Sequence, residues 1–273
     1  MRIAVTGGSG RIGRAVVELA LSQGHRVVSM DRVSPEESVA GISFRATDVG
    51  DYDATLEAIN GCDAVIHLAA IPGPNRHPDH QVHNNNVVGS YNVLHAAATL
   101  GIRRVCLASS INATGAAFSR CPRYDYFPLD ERHPTYNEDP YSLSKWVGEQ
   151  QGDSFARRYE DMAIASLRFH MVVPSRSDAL GRGRGHEEMM AKHLWGYTTL
   201  DASARACLQS LEAKFRGHEA FYIVAPDTMS DRPTPELVEQ FYPTVALRLP
   251  LSGSQGFYDC GKAERLLGWR HDG

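Results

Sequence analysis

The chain opens on a short uninterrupted apolar run, Ile3 to Val5. Such a run, closed by turn residues, reads as a strand buried on both faces of a parallel sheet. Arg14-Ala-Val-Val-Glu-Leu-Ala-Leu21 then carries apolar residues at helical spacing. The two signatures alternate down the chain. Strands are predicted at 24–31, 42–47, 64–70, 104–108 and 162–167. Helices are predicted at 52–59 with Asp51 as N-cap, at 84–99, and at 140–159 with Pro140 at the favoured first position. This alternation predicts an α/β fold with a doubly wound parallel sheet and helices on both faces. Ligands of such sheets sit beyond the C-terminal strand ends. Polar loops are expected over 71–82 and 111–139, and the second is too long to be idle in a compact domain.

The pattern weakens after about residue 170. Residues 174–191 read as a loop rich in Gly and Arg. Strands are expected within 196–200 and 221–224, and a helix over 202–213 with Asp201 as its cap. Another helix is expected to start at Thr234, and a short one to lie within 259–269. The expected organisation is a main domain over 1–170 and a small substrate-binding region over 171–273 packed on it.

Composition narrows the class. With 42% hydrophobic and 22% charged residues, the chain is globular rather than disordered. The net charge of −4 gives no reason to expect nucleic acid or an anionic membrane as partner. No apolar run approaches a membrane span. The first strand begins at the N-terminus, so no targeting segment is expected. Cysteines 62, 106, 121, 207 and 260 are scattered, and none forms a C-x-x-C pair. Reduced thiols, no zinc site and a cytoplasmic setting are therefore expected. His77, His80, His83, His186 and His193 lack a recognisable ligand pattern, so no metal is expected. His67, inside a buried strand, reads as a satisfied core histidine.

Two constellations carry chemistry. The first is the turn between the first strand and first helix, where Gly7, Gly10 and Gly13 form G-x-x-G-x-x-G. Glycines there let the backbone turn sharply and approach a pyrophosphate, and the helix N-terminus offers unpaired N–H groups to that anion. The fold expectation becomes a Rossmann-type sheet that binds a dinucleotide. Asp31 ends the second strand 18 residues after Gly13, near the spacing of the carboxylate that binds the adenosine ribose. It favours NAD over NADP by repelling a 2′-phosphate, while Arg11, Arg14 and Arg32 pull the other way. The second constellation is Tyr141-Ser-Leu-Ser-Lys145. On a helix, positions i and i+4 share a face, so hydroxyl and ammonium converge. A nearby ammonium is expected to lower the phenol pKa toward that of a working base.

The chain resembles the extended short-chain dehydrogenases/reductases, the NAD-dependent epimerase/dehydratase group. The residues carrying the resemblance are Thr6–Gly13, Asp48-Val49, His67-Leu-Ala-Ala70, Asn86–Asn92, Ser109-Ser110, Pro140–Lys145 and Leu167-Arg168. The resemblance implies Tyr141 as acid/base, with Lys145 binding the nicotinamide ribose and tuning Tyr141. It implies Ser110 as the group orienting the reacting oxygen. Gly7, Gly10, Arg11, Ile12, Gly13, Asp31, Asp48, Val49, Leu68, Ala69 and Ala70 would join Tyr141 and Lys145 in holding the cofactor. Asn86, Ser110, Asn112 and Arg168 would face the substrate. Ser110 and Asn86 have simpler alternatives as caps.

The chain departs from nucleotide-sugar epimerases at Arg168-Phe-His-Met-Val-Val-Pro174 and Ala113-Thr-Gly115, and its C-terminal part is short. With Ser110-Ile-Asn112, these features resemble the uronate dehydrogenase branch, which oxidises free sugar acids. Arg168, Arg176, Arg182 and Arg184 are candidate carboxylate clamps. The expected activity is NAD-dependent oxidation of a small carbohydrate or sugar acid. The alternatives are a nucleotide-sugar epimerase/dehydratase with retained NAD, or a non-catalytic NAD-binding regulator. The resemblance also implies a homodimer through the helices at 84–99 and 140–159.

Overall fold

A computed structural model describes residues 1–34, 41–183 and 185–272. Arg184, one of the candidate clamps, lies outside the described residues. Alternation begins as expected: β1 (Arg2–Thr6), α1 (Arg11–Ser22), β2 (Arg26–Asp31), β3 (Ile42–Ala46), α2 (Tyr52–Ile59), β4 (Ala64–His67). It continues through α3 (Asp79–Thr99), β5 (Arg104–Ser110), β6 (Tyr126–Phe127), α4 (Pro140–Arg158) and β7 (Ala163–Phe169). Then come β8 (Val172–Val173), α5 (Arg176–Gly183), α6 (Glu187–Lys192), β9 (Thr198–Thr199) and α7 (Leu200–Glu212). The chain closes with β10 (Gly217–Ile223), α8 (Thr234–Phe241), β11 (Ala246–Leu247) and α9 (Gly261–Leu267).

Among the described residues the main sheet has seven strands in the order β10-β7-β5-β4-β1-β2-β3. Every pairing in it is parallel. It is the Rossmann-like α/β fold. The order reverses between β1 and β4, and the crevice outside their C-terminal ends is where such sheets bind ligands. Alternate residues feed opposite faces: Ile3 and Val5 pack toward α1 and α7, Ala4 toward α2 and α3. A second, aromatic core joins Tyr124 and Phe127 to Trp195, Tyr222, Phe257 and Tyr258.

Four expectations change. The third helix starts at Asp79, not 84, so the loop after β4 is shorter than the polar sequence implied. The stretch 174–191 folds into α5 and α6 despite its glycines, with Ala179, Met190 and Ala191 buried. Thr199, not Asp201, caps α7, its side chain accepting from the Ala202 N–H. The boundary at 170 cuts through the sheet, because β10 pairs with β7 and α7 packs on α1.

Candidate active site

Two positions of the glycine turn leave no room for a side chain. Gly7 has φ +68°, and a Cβ on it would lie 2.8 Å from the Ala69 backbone nitrogen. A Cβ on Gly13 would lie 2.1 Å from the Gly7 carbonyl oxygen. These contacts bring the end of β1 against Leu68-Ala69 after β4. Helix α1 has Gly10 as N-cap, no side-chain cap and no acidic residue in its first turn. Its N-terminal N–H groups are thus left for an anion. A groove of about 180 Å³ runs past it, lined by Gly7, Gly10, Asp31, Asp48, Val49, Leu68, Ala69 and Ala70 among others.

Asp31 is aimed by its own turn: its carboxylate accepts from Ser9 N–H at 3.1 Å and Arg32 N–H at 2.8 Å. Arg32 also lines the groove. Asp48 accepts from Gly50 N–H at 2.9 Å. These residues fit a dinucleotide: a Cβ-free cradle, an uncapped helix end and a carboxylate at the ribose position. His67 is the expected core histidine, bonded to the Thr6 hydroxyl at 2.7 Å. Burial drives its pKa down to about 3, with Lys145 adding to the effect.

Helix α4 carries the second constellation. Asp139 caps it through the Tyr141 and Ser142 N–H groups, and Pro140 follows at the first position. Tyr141 is 8% exposed, and its ring meets Phe118 edge-on at 5.7 Å. Its hydroxyl lies near enough to Ser110, at the C-terminal end of β5, for the serine to act on its pKa. Lys145 reaches the Ala108 carbonyl at 2.7 Å, with its ammonium 5.7 Å from the Tyr141 ring centroid. Tyr141, Lys145 and Ser110 thus come together at the sheet's C-terminal edge.

The phenol pKa does not move as expected. Burial pushes Tyr141 up to about 12, and the nearby Ser110 hydroxyl only partly offsets this. Burial takes Lys145 down to about 8 against the pull of Glu149. The Asp139 carboxylate adds to the upward shift of Tyr141, and the Lys145 ammonium, turned to the Ala108 carbonyl, does not reverse it.

Three substrate candidates have other partners. Arg168 is buried in a bidentate pair with Glu149, at 2.9 and 2.7 Å. Its Nε and Nη2 are thus taken, leaving only Nη1, buried without a hydrogen-bond partner, which corrects its assignment as a bidentate clamp. Asn86 has both amide ends engaged: Oδ1 accepts from Ile71 N–H, and Nδ2 donates to Ile71 O and Ser144 Oγ. Asn112 donates to Ser110 Oγ at 3.2 Å and accepts from Ala117 N–H at 2.9 Å. These bonds hold the adjoining loops in place, and Asn112 touches the site residue Ser110. Arg176 pairs with Asp227, and Arg182 stays exposed on α5.

Glu149 was missed in the sequence. Burial works against its charge, but Arg168 and the Ser109 hydrogen bond hold its pKa below the ordinary range. Its i+4 spacing from Lys145 was the available signal.

The family model for the NAD dependent epimerase/dehydratase family matches residues 3–195. The chain belongs to that family, an enzyme family of the extended short-chain dehydrogenase/reductase type. It is 32% identical over 199 residues to L-arabinose 1-dehydrogenase (NAD(P)(+)) of Haloferax volcanii, spanning 71% of this chain and 75% of that protein. A solved structure titled mutated uronate dehydrogenase aligns with TM-score 0.70 and 23% identity, over 98% of this chain and 80% of that one. MoeE5 in complex with UDP-glucose and NAD aligns with TM-score 0.74 and 22% identity, over 99% and 93%. At those identities the two structures show a shared fold.

Proposed function

We propose that the protein oxidises a hydroxyl of a small carbohydrate or sugar acid with NAD, Tyr141 acting as acid/base. The observation that carries this is the gathering of Tyr141, Ser110 and Lys145 at the sheet's C-terminal edge, the Lys145 ammonium 5.7 Å from the Tyr141 ring centroid. NAD, when bound, supplies the hydride acceptor that the side chains lack. Ser110 orients the reacting hydroxyl. Tyr141 takes its proton, and Lys145 is the cation that favours the phenolate required for that step. The sugar dehydrogenase relative supports the substrate class, and Asp31 supports NAD over NADP. With Arg168 paired to Glu149, a sugar acid would have to find another cation, and Arg182 is exposed on α5.

The aromatic cluster of residues 111–129 and 173–258 is the proposed substrate-side region. Exposed Val88 and Tyr91 on α3 and Leu143 on α4 support a homodimer through those helices. Scattered free cysteines support a reducing, cytoplasmic setting. The alternative, an epimerase with retained NAD, draws support from the fold shared with a UDP-glucose complex.

Steady-state NADH absorbance across free sugars and nucleotide sugars separates the two. Net NADH with a free pentose or hexuronate is the expected result. Interconversion of a nucleotide sugar without net NADH would promote the epimerase.

A further inference from the structure

We propose that Ser166, His218 and Asp153 form a proton conduit joining the polar cavity beside Lys145 to solvent. The cavity is about 20 Å³, room for one water, and Lys145, Glu149 and Ser166 are among its walls. From Ser166 Oγ a chain of bonds runs outward. His218 Nε2 lies 2.8 Å from Ser166 Oγ, and His218 Nδ1 lies 2.9 Å from Asp153 Oδ1. The imidazole is 5% exposed and the carboxylate 38%, so the chain begins inside and ends at the surface. An imidazole bonded at both nitrogens can accept a proton on one and release it from the other.

The helix is shaped around this path. A Cβ on Gly152 would lie 2.7 Å from His218 Cδ2, so a glycine in mid-helix makes the room. The other polar walls lead nowhere that titrates freely. Ser109 donates to Glu149, which Arg168 locks. His67 is tied to Thr6, Asn86 to Ile71 and Ser144, and Ser90 to the amide of Gln151. The charges around the outer end are Arg157 and Lys262, which both act on Asp153.

The source of the proton rests on the oxidation proposed above. There the substrate carbon gives a hydride to NAD and its oxygen gives a proton to Tyr141, so one proton per turnover must reach solvent. Lys145 passes a proton to the cavity water and recovers one from Tyr141. Ser166 and His218 hand it on to Asp153 and water, and each group regains its starting state.

His218→Gln can still bond Ser166 and Asp153 but cannot shuttle a proton, so it separates conduit from clamp. The chain has four lysines, at 145, 192, 214 and 262, so the ¹⁵N-lysine spectrum of the free protein is simple. The Lys145 signal is the one missing from Lys145→Met. We expect its hydrogen exchange with water to slow about tenfold in H218Q and in Ser166→Ala. An unchanged exchange rate in folded H218Q, or in S166A if H218Q does not fold, overturns the conduit. In a single turnover followed with a pH indicator, proton release should lag NADH formation in H218Q and keep step with it in wild type. Proton release that keeps step in H218Q also overturns it. Failure of the wild type to reduce NAD with any sugar would remove the proposed function instead, and the exchange experiment would still decide the conduit.

Discussion

Lys145 and Glu149 lie one turn apart on α4, yet they do not close on each other. The carboxylate binds Arg168 and Ser109, and the ammonium binds the Ala108 carbonyl. The site thus holds a buried ammonium whose one bond is to a neutral acceptor.

That arrangement costs stability in a defined pH window. The folded pKa of Lys145, about 8, lies below its ordinary 10.5. Between those values the unfolded chain binds more protons, so stability rises with pH across the window. Each pH step is worth roughly 1.4 kcal/mol, which makes the cost below pH 8 a few kcal/mol. Lys145→Met is expected to raise the Tm of the free protein at pH 7 by about 5 °C or more while abolishing turnover. The gain should fade as the pH approaches 10.5. Thermal melts from pH 7 to 10.5 check this, and a lower Tm for the variant at pH 7 would refute it.

Tyr141→Phe removes one hydroxyl and leaves the glycine cradle untouched. Turnover should fall by about 10²–10⁴-fold, the usual contribution of a positioned acid/base. Cofactor affinity, read by NADH fluorescence, should fall by no more than about tenfold, since a single hydrogen bond is worth roughly 0.5–1.5 kcal/mol. Near-normal turnover would remove Tyr141 from the chemistry.

Arg168→Ala tests a reading that the structure reversed. Removing one partner of a buried pair leaves Glu149 charged and alone, at a cost of about 3–5 kcal/mol. The expected result is a Tm lower by about 10 °C, or poor folding, rather than a selective rise in KM. A folded, stable variant with only a raised KM would restore Arg168 as a substrate clamp.

That reversal shows where sequence reading runs out. The glycine turn and the Tyr141–Lys145 pair are local patterns, so both were legible, as were β1 to β5 and β7, whereas β6 fell in a stretch read as loop. Glu149 and Arg168 are 19 positions apart on different elements, and only packing α4 on β7 joins them. The same holds for His218 and Asp153, brought together when β10 adds to the sheet. Local signals also misled in places. Glycine and arginine at 181–185 hid α5, and polar side chains hid the first turn of α3.

Gly13 sits in α1, where alanine would ordinarily gain up to about 1 kcal/mol of helix propensity. The added Cβ would meet the Gly7 oxygen at 2.1 Å and the Gly8 Cα at 2.8 Å, both backbone atoms. The turn has to open, so the clash wins. Gly13→Ala is expected to lose about 1–3 kcal/mol of stability and to weaken NADH binding at least tenfold. Calorimetry and fluorescence titration read the two effects, and wild-type values in both would contradict the cradle.

Asp31 sets the last expectation. Its two oxygens are pinned by the Ser9 and Arg32 N–H groups at the groove wall, so the carboxylate cannot turn away from a ligand. A ribose diol can donate to it, whereas a 2′-phosphate would place like charges a few ångströms apart. Arg32, on the same wall, would reward that phosphate once the carboxylate is gone. The wild type should therefore bind NADH more tightly than NADPH. Asp31→Ser should shift the ratio toward NADPH by at least about tenfold, roughly 1.4 kcal/mol. Parallel fluorescence titrations of both cofactors against both proteins decide it. Tighter NADPH binding by the wild type would mean that Arg32 governs the wall with Asp31 still in place.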